Sequence, residues 1–572
     1  MKSTRWFCPF QYLAIFLIAV ICSSLIHYQS ASAAIAIDLY VDTPVDSQTN
    51  NTGCTTVLDD NHCSLRGAIQ YIRDTGGTSP YLINVPADTY NLTIPGSDDT
   101  NAQGDLDISG PNITIDGAGM SDTIINGNGN FDRIIDYQGE ADLVLSDLTI
   151  QHGNLSSGQS GGGGVRALST GKLTLDNVHI TSNYVGGIQT ADSGGGISVT
   201  DADLSIIGGT QIDDNSACHG GGIIVLNSSA KLVDIDSSVI SGNTARCELG
   251  GGILIASFAT VTIDLTTISS NHALRGGGYA QSSNTSSTLT GLTITGNIID
   301  TGGTGAAGME IYGTATISGS TVSSNSAPTG IGGIRLKSTS IFNMTDSAII
   351  SNDGYAAGGL LVEDNVSALL QRIEITSNTS TNGGGISVTN YGNIDLENVT
   401  IADNDAGHYG GGLYLQSNDS ADLDHVTIAN NTGILHGDAV YIGDNGNWSS
   451  KNSIFYYFAD GDVCYYAGLF TRSSGGHNII SDNSCGLTAG TDLPDTDPLL
   501  GELDFYESKF QSIPPLYGSP AIDGAITSDP VTTDQRGMPR VDGDGDLVVT
   551  SDIGAHESAA SKMLFLPMVI NP

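Results

Sequence analysis

The chain has 572 residues and carries 61 Asp plus Glu against 19 Lys plus Arg, a formal net charge of −42. A field of that sign repels nucleic acid and anionic lipid, so no nucleic-acid partner is expected; it suits solubility outside a cell and reads as a solvated acidic surface, with attraction of divalent cations as the alternative. The 75 glycines would point to disorder without a pattern, but they fall in register with a repeat, so the chain reads as ordered.

Residues 1–33 read as a secretory signal. Lys2 and Arg5 precede an apolar run from Tyr12 to Ile26, and Ala31-Ser32-Ala33 is a small-x-small cleavage site. An uncleaved anchor is the alternative. Ile21, before Cys22, stands where a lipoprotein signal wants a small residue. No other stretch approaches a membrane span. The mature chain is therefore expected without a transmembrane segment, as a monomer, secreted or on the extracellular surface.

Residues 34–110 are expected to form an N-terminal cap and first coils. In Cys63-Ser64-Leu65-Arg66-Gly67-Ala68-Ile69, Ser64 is a candidate N-cap, and Leu65, Ala68, Ile69 and Ile72 share one helical face. Such a helix can cover the open end of a solenoid. The stretch resembles the CSLREA motif of secreted bacterial β-helix proteins, with Gly67 where that family usually has Glu.

Residues 111–460 carry the repeat. Asn183, Asn215, Asn243, Asn271, Asn297, Asn325, Asn352, Asn378, Asn404 and Asn431 follow one another at 26 to 32 residues, each with Ile or Val three places before it. Most precede a glycine cluster, such as Gly250 to Gly252. A period of this size signals a repeat architecture. Alternation as in Val261-Thr-Ile263-Asp-Leu265 argues short strands. Single units cannot bury their apolar faces, so they stack. The expected fold is all-β, a parallel β-helix of eleven or so coils and about 50 Å at the spacing of paired strands. The repeated Asn tolerates a left-handed turn, and stacked Asn amides can form a ladder. The I-x-x-N and GGGI phrases resemble repeats of polymorphic outer-membrane proteins and of right-handed parallel β-helix proteins, which include pectate-lyase-like enzymes. That resemblance implies a right-handed solenoid.

Six cysteines lie beyond the signal, in three close-spaced pairs expected to be disulfides: Cys54 and Cys63, Cys218 and Cys247, Cys464 and Cys485. Cys218 and Cys247 sit about one repeat apart, so stacking brings them within reach.

Residues 461–557 should hold a disulfide-bridged last coil and a terminal module. Gly518-Ser519-Pro520-Ala521-Ile522-Asp523, Thr533 to Arg540 and Asp552-Ile553-Gly554-Ala555-His556-Glu557 resemble the choice-of-anchor Q domain. The resemblance implies surface display or secretion and assigns no chemistry. Arg536 and Arg540 amid Asp523, Asp534, Asp552 and Glu557 read as a structural ion-pair cluster. Asp542, Asp544 and Asp546, separated by glycines, can wrap calcium; a bare acidic turn is the alternative, because Ile553 stands where an EF-hand has its closing Glu. The tail, 558–572, is too short to span a membrane and reads as a sorting tag or a final strand.

A catalytic set is hard to assemble. Asp213-Asp214 resembles the paired aspartates of pectin-hydrolysing β-helices, and Arg335-Leu336-Lys337 their R-x-K, but these lie more than four repeats apart. His219-Gly220 lacks the leading Gly of that family's motif. His179, His272 and His425 read as surface or turn residues. Two classes of function remain. One is a non-catalytic adhesin or binder of polysaccharide or cell-surface glycans. The other is a polysaccharide lyase or glycoside hydrolase, with a plain structural spacer as a third reading. An aromatic row along one rod face would favour sugar binding; two or three carboxylates within about 5–10 Å would favour hydrolysis.

Overall fold

Each repeat closes into one coil of a parallel β-helix. The coil that opens with strand Ile253–Ile255 continues through Ala259–Asp264 and Thr267–Ser269, then ends in the short strand His272–Ala273. The next coil pairs with it in parallel, Ile253 on Tyr279, Val261 on Ser287 and Ile268 on Ile294. Inward residues at every second position fill the bore: Ile253, Ile255, Val261, Ile263 and Ile268 are buried. Each contributes about 2 kcal/mol of apolar burial. The computed structural model describes residues 36–558 apart from 52, 56–61, 129–131, 157, 189–192, 257, 339, 458–460, 527–529 and 541–549. The signal at 1–33, the acidic turn with Asp542, Asp544 and Asp546, and the tail from 559 lie outside the described residues.

The described strands form sheets of 25, 14 and 11 members. The 14-stranded sheet takes one strand per coil, so the rod is longer than the eleven coils expected, near 65 Å at ~4.8 Å per strand. Four coils lie outside the ten that carry the ladder Asn: those at Leu106–Ile108 and Ile135–Tyr137 precede Asn183, and those at Val440–Ile442 and Cys464–Tyr466 follow Asn431.

The Asn ladder exists, and its backbone geometry corrects the expectation. None of the ten Asn is left-handed. The left-handed residue is the one before it: Ser182, Asp214, Gly242, Ser270, Gly296, Ser324, Ser351, Ser377, Asp403 and Asn430, with φ from 51° to 65°. That residue turns the corner, and the Asn aims inward and along the rod. Asn243 Nδ2 donates to Asn271 Oδ1 at 3.0 Å and to Ile212 O at 2.8 Å, while its backbone N–H donates to Asn271 Oδ1 at 3.0 Å. The same pattern runs unbroken from Asn183 to Asn431.

At the N-terminal end, helix α1 (Leu65–Thr75) buries Leu65, Ala68, Ile69 and Ile72. Ser64 Oγ accepts from Gly67 N at 3.0 Å, and Gly76 closes the helix in a left-handed conformation. Gly67 has a packing cause: a Cβ there would lie 1.9 Å from Asn50 O, so no Glu fits. All three expected disulfides are present, and Cys218–Cys247 joins adjacent coils at a Cα separation of 4.7 Å.

At the other end, the described residues of 499–557 pack on the flank of the rod. Ile513 contacts Ala402 and Ala429, and Ile553 and Ala521 contact Ile454 and Ile479. Arg540 is buried and donates to Glu557 Oε2 (2.9 Å), Gly554 O (2.9 Å) and, across the junction, Asn398 Oδ1 (2.6 Å). Arg536 pairs with Asp534, as expected of a structural cluster. His556 is buried against Ser512 Oγ at 2.8 Å; burial, then Arg536, push its pKa down to about 4. The unfolded chain takes up that proton near pH 6.5 and the folded chain only near 4. The resulting stability is full above pH 6.5 and is lost as pH falls toward 4. Hydrogen exchange of residues 499–557 should therefore accelerate between pH 6.5 and 4.5 relative to the rod; a constant ratio would contradict this.

Candidate functional site

The middle residue of each strand in the 14-stranded sheet points away from the bore, because its two neighbours point in. Register stacks these residues into one outward column: Asp107, Asp136, Arg166, Ser198, Ile224, Leu254, Ala280, Glu310, Arg335, Leu361, Ser387, Tyr414, Tyr441 and Tyr465. The column has three chemical zones.

The first is acidic. Asp136 is held by Arg166 (Nε to Oδ1, 2.7 Å) and Arg133 (Nη1 to Oδ2, 3.2 Å). Ligand oxygens of Asp99, Asp107 and Asp136 lie within 4.8 Å of one another. Burial, then the carboxylates of Asp132 and Asp107, push Asp105 up to about 9. Burial, opposed by the Asn101 N–H and reinforced by Asp136, pushes Asp107 up to about 7. Asp107 and Asp136 are 2% and 1% exposed, so the close carboxylates cannot flank a glycosidic bond.

The middle zone is a charge ladder. Arg275 bridges Glu248 and Glu310 at 3.0 Å each, and Arg335 bridges Glu310 (3.4 Å) and Glu363 (2.6 Å). Glu310 is fully buried and also accepts from Ala306 N at 2.8 Å. These ions satisfy each other. A shallow cavity of about 350 Å³ follows, lined by Arg335, Leu361, Ser387 and Tyr414, with Tyr355 and Gln416 also on its wall.

The third zone is aromatic. Tyr414 and Tyr441 ring centroids lie 5.1 Å apart at 23°, and Tyr441 and Tyr465 5.6 Å apart at 19°. Tyr409 joins from the side at 4.8 Å, and His436 stacks on Tyr465 at 3.8 Å. Near-parallel planes at such centroid distances mean slipped rings, so part of each face stays open on this half-buried ridge. Burial, then Tyr441, pushes Tyr414 up to about 12, and burial raises Tyr441 too; their hydroxyls remain donors at neutral pH. Beside the ridge is a cavity of about 700 Å³ lined by His436, Asp438, Asp462 and Asp482. Burial, then Asp462 and Asp482, raise the pKa of Asp438.

The residues singled out in the sequence lie elsewhere. Asp213 ends strand Gln211–Asp213 in the 25-stranded sheet, 2.9 Å from His179 Nε2. Against the cost of burial, hydrogen bonds from His179 and Thr181 hold its carboxyl below the usual range. Asp214 is the left-handed residue before the ladder Asn215. Arg335 belongs to the 14-stranded sheet, so the structure does not bring it to the Asp pair. His272 pairs with Asp300 at 3.1 Å on the surface. His425 departs from expectation: it is fully buried, at a left-handed bend, beside Asp424 at 3.0 Å. The tyrosine row was missed, although a signal exists. Leu413-Tyr414-Leu415, Val440-Tyr441-Ile442 and Cys464-Tyr465-Tyr466 occupy one position of successive repeats.

Residues 332–493, which contain the tyrosine row, match the family model described as right handed beta helix region. The solenoid is right-handed. No curated protein matches the chain. Among solved structures, similar chains are ORF18 of Geobacillus virus E2 (TM-score 0.32, 12% identity, 69% of this chain and 64% of that one) and the Agl-KA catalytic domain (0.32, 14%, 72% and 64%). A third is pectate lyase Pel9A (0.26, 14%, 92% and 98%). The chain thus spans a little under two thirds of the length of the first two. No helix among the described residues is long and apolar enough to cross a membrane.

Proposed function

We propose that the protein is a secreted or surface-displayed, non-catalytic binder of polysaccharide, and that the glycan lies along the Tyr414–Tyr441–Tyr465 ridge. The ridge carries this reading: repeated, partly open aromatic faces with hydroxyl donors suit the apolar faces and hydroxyl rims of successive sugars. The bordering Asp438, Asp462 and Asp482 disfavour polyuronates and favour neutral glycans. The CSLREA-like cap and the choice-of-anchor Q-like terminal segment support display at, or release from, a cell surface. The Asp438 cavity favours a second reading, glycoside hydrolysis with Asp438 as the acid.

The test is to incubate the disulfide-bonded chain from residue 34 with immobilised neutral and acidic polysaccharides, with and without calcium. Retention and release of reducing or unsaturated ends are scored together. The expected result is retention on a neutral polysaccharide without cleavage. Cleavage transfers the assignment to the Asp438 cavity, and failure to retain any member overturns the glycan reading.

A further inference from the structure

We infer that the first coils hold a hard divalent cation of calcium size between Asp99, Asp107 and Asp136. The donor atoms lie within 4.8 Å of one another. Oxygens at 2.3–2.6 Å from a common calcium lie at most about 5 Å apart, so one ion can touch all three.

Unused oxygens point the same way. Asp107 Oδ2 accepts from Asn101 N at 2.7 Å, whereas its Oδ1 has no hydrogen-bond partner among the described residues although Asp107 is 2% exposed. Asp105 Oδ1 beside it is in the same state. A buried carboxylate oxygen without a donor is costly, and a cation removes that cost. Among the described residues Asp136 Oδ1 accepts the Arg166 Nε bond alone and keeps a lone pair.

Gln138 supplies a further ligand. Its Nε2 is 2.7 Å from Asp136 Oδ2 and 3.3 Å from Asp99 Oδ1. A flip of the amide puts Oε1 at that point, and carboxamide oxygens are ordinary calcium ligands. Charge agrees. Asp99, Asp105, Asp107, Asp132 and Asp136 face Arg73, Arg133 and Arg166, while Arg66 is engaged by Asp46 at 2.5 Å. The all-oxygen donor set selects a hard cation over zinc or copper.

The test uses the disulfide-bonded chain with Asp542, Asp544 and Asp546 all changed to Asn, so that the acidic turn cannot contribute. After chelator treatment, calcium chloride is titrated in by calorimetry. One ion per chain and a rise in melting temperature are expected. Asp99→Asn, at an exposed position, and Asp107→Asn should each weaken binding at least about tenfold. The Asp99→Asn chain should melt with its parent in chelator, which guards against a folding defect. Absence of calcium uptake by the parent, or uptake unchanged in both variants, overturns the site.

Discussion

Replacing Asn297 with Ala lowers the stability of the rod by roughly 3 kcal/mol. The Asn297 amide donates to Asn325 Oδ1 (2.9 Å) and Ile268 O (3.0 Å), and its Oδ1 accepts from Asn271 N and Nδ2 (both 3.0 Å). Alanine strips these partners while leaving Asn271 and Ile268 O in place and dry. Each orphaned buried group costs about 1–3 kcal/mol, and local relaxation keeps the total near the lower end. Because each coil contacts mainly its neighbours, the loss is local. Hydrogen exchange should rise first in the coils of Asn271 and Asn325. Gly296→Ser is the control: other coils carry Ser at this left-handed position, and a Cβ there meets nothing closer than 3.8 Å. Equal denaturation midpoints for Asn297→Ala and Gly296→Ser would contradict the ladder account.

Arg540→Met releases the terminal segment from the rod. The guanidinium is nearly enclosed, and its donors reach Glu557, the carbonyls of Asp552 and Gly554, and Asn398 of the rod. Removing one partner of a buried ion pair costs about 3–5 kcal/mol, mostly because the other charge stays desolvated. The rod core does not use this residue, so the loss should appear as proteolytic cutting within 499–557 while the main melting transition is kept. Loss of both together would mean that the terminal segment and rod fold as one unit.

The fold was legible because one phrase was repeated ten times. Ile at minus three with Asn gives both the period and the inward face, and short strands of period two in units too small to bury a face alone stack coil on coil. The left-handed position was misassigned because Asn does tolerate that conformation; what decided otherwise was the ladder, which needs the Asn side chain along the rod axis and leaves the corner to Ser182, Ser270 or Gly296. The run of Asn phrases is broken ahead of Asn183, because Gly153 stands three residues after Ile150 where the Asn would be. The site was less legible for a physical reason. Tyr414, Tyr441 and Tyr465 are each isolated in local sequence, and only coil stacking brings their rings to about 5 Å. Asp107 and Asp136 meet in the same way, with Asp99 added from the loop before Asp107, while Asp213-Asp214, adjacent in sequence, serve a strand end and a corner.

The most direct test of the central claim is affinity electrophoresis in a gel containing the neutral polysaccharide retained best, with wild type beside the triple variant Tyr414→Ala, Tyr441→Ala, Tyr465→Ala. Three stacking contacts at about 0.5–1.5 kcal/mol each amount to roughly 2–4 kcal/mol, so the Kd should rise at least about 30-fold. Wild type is expected to be retarded and the folded variant, checked by its melting transition, to run freely. Equal retardation of both would show that the glycan is held elsewhere or that the ridge serves only to stack the coils.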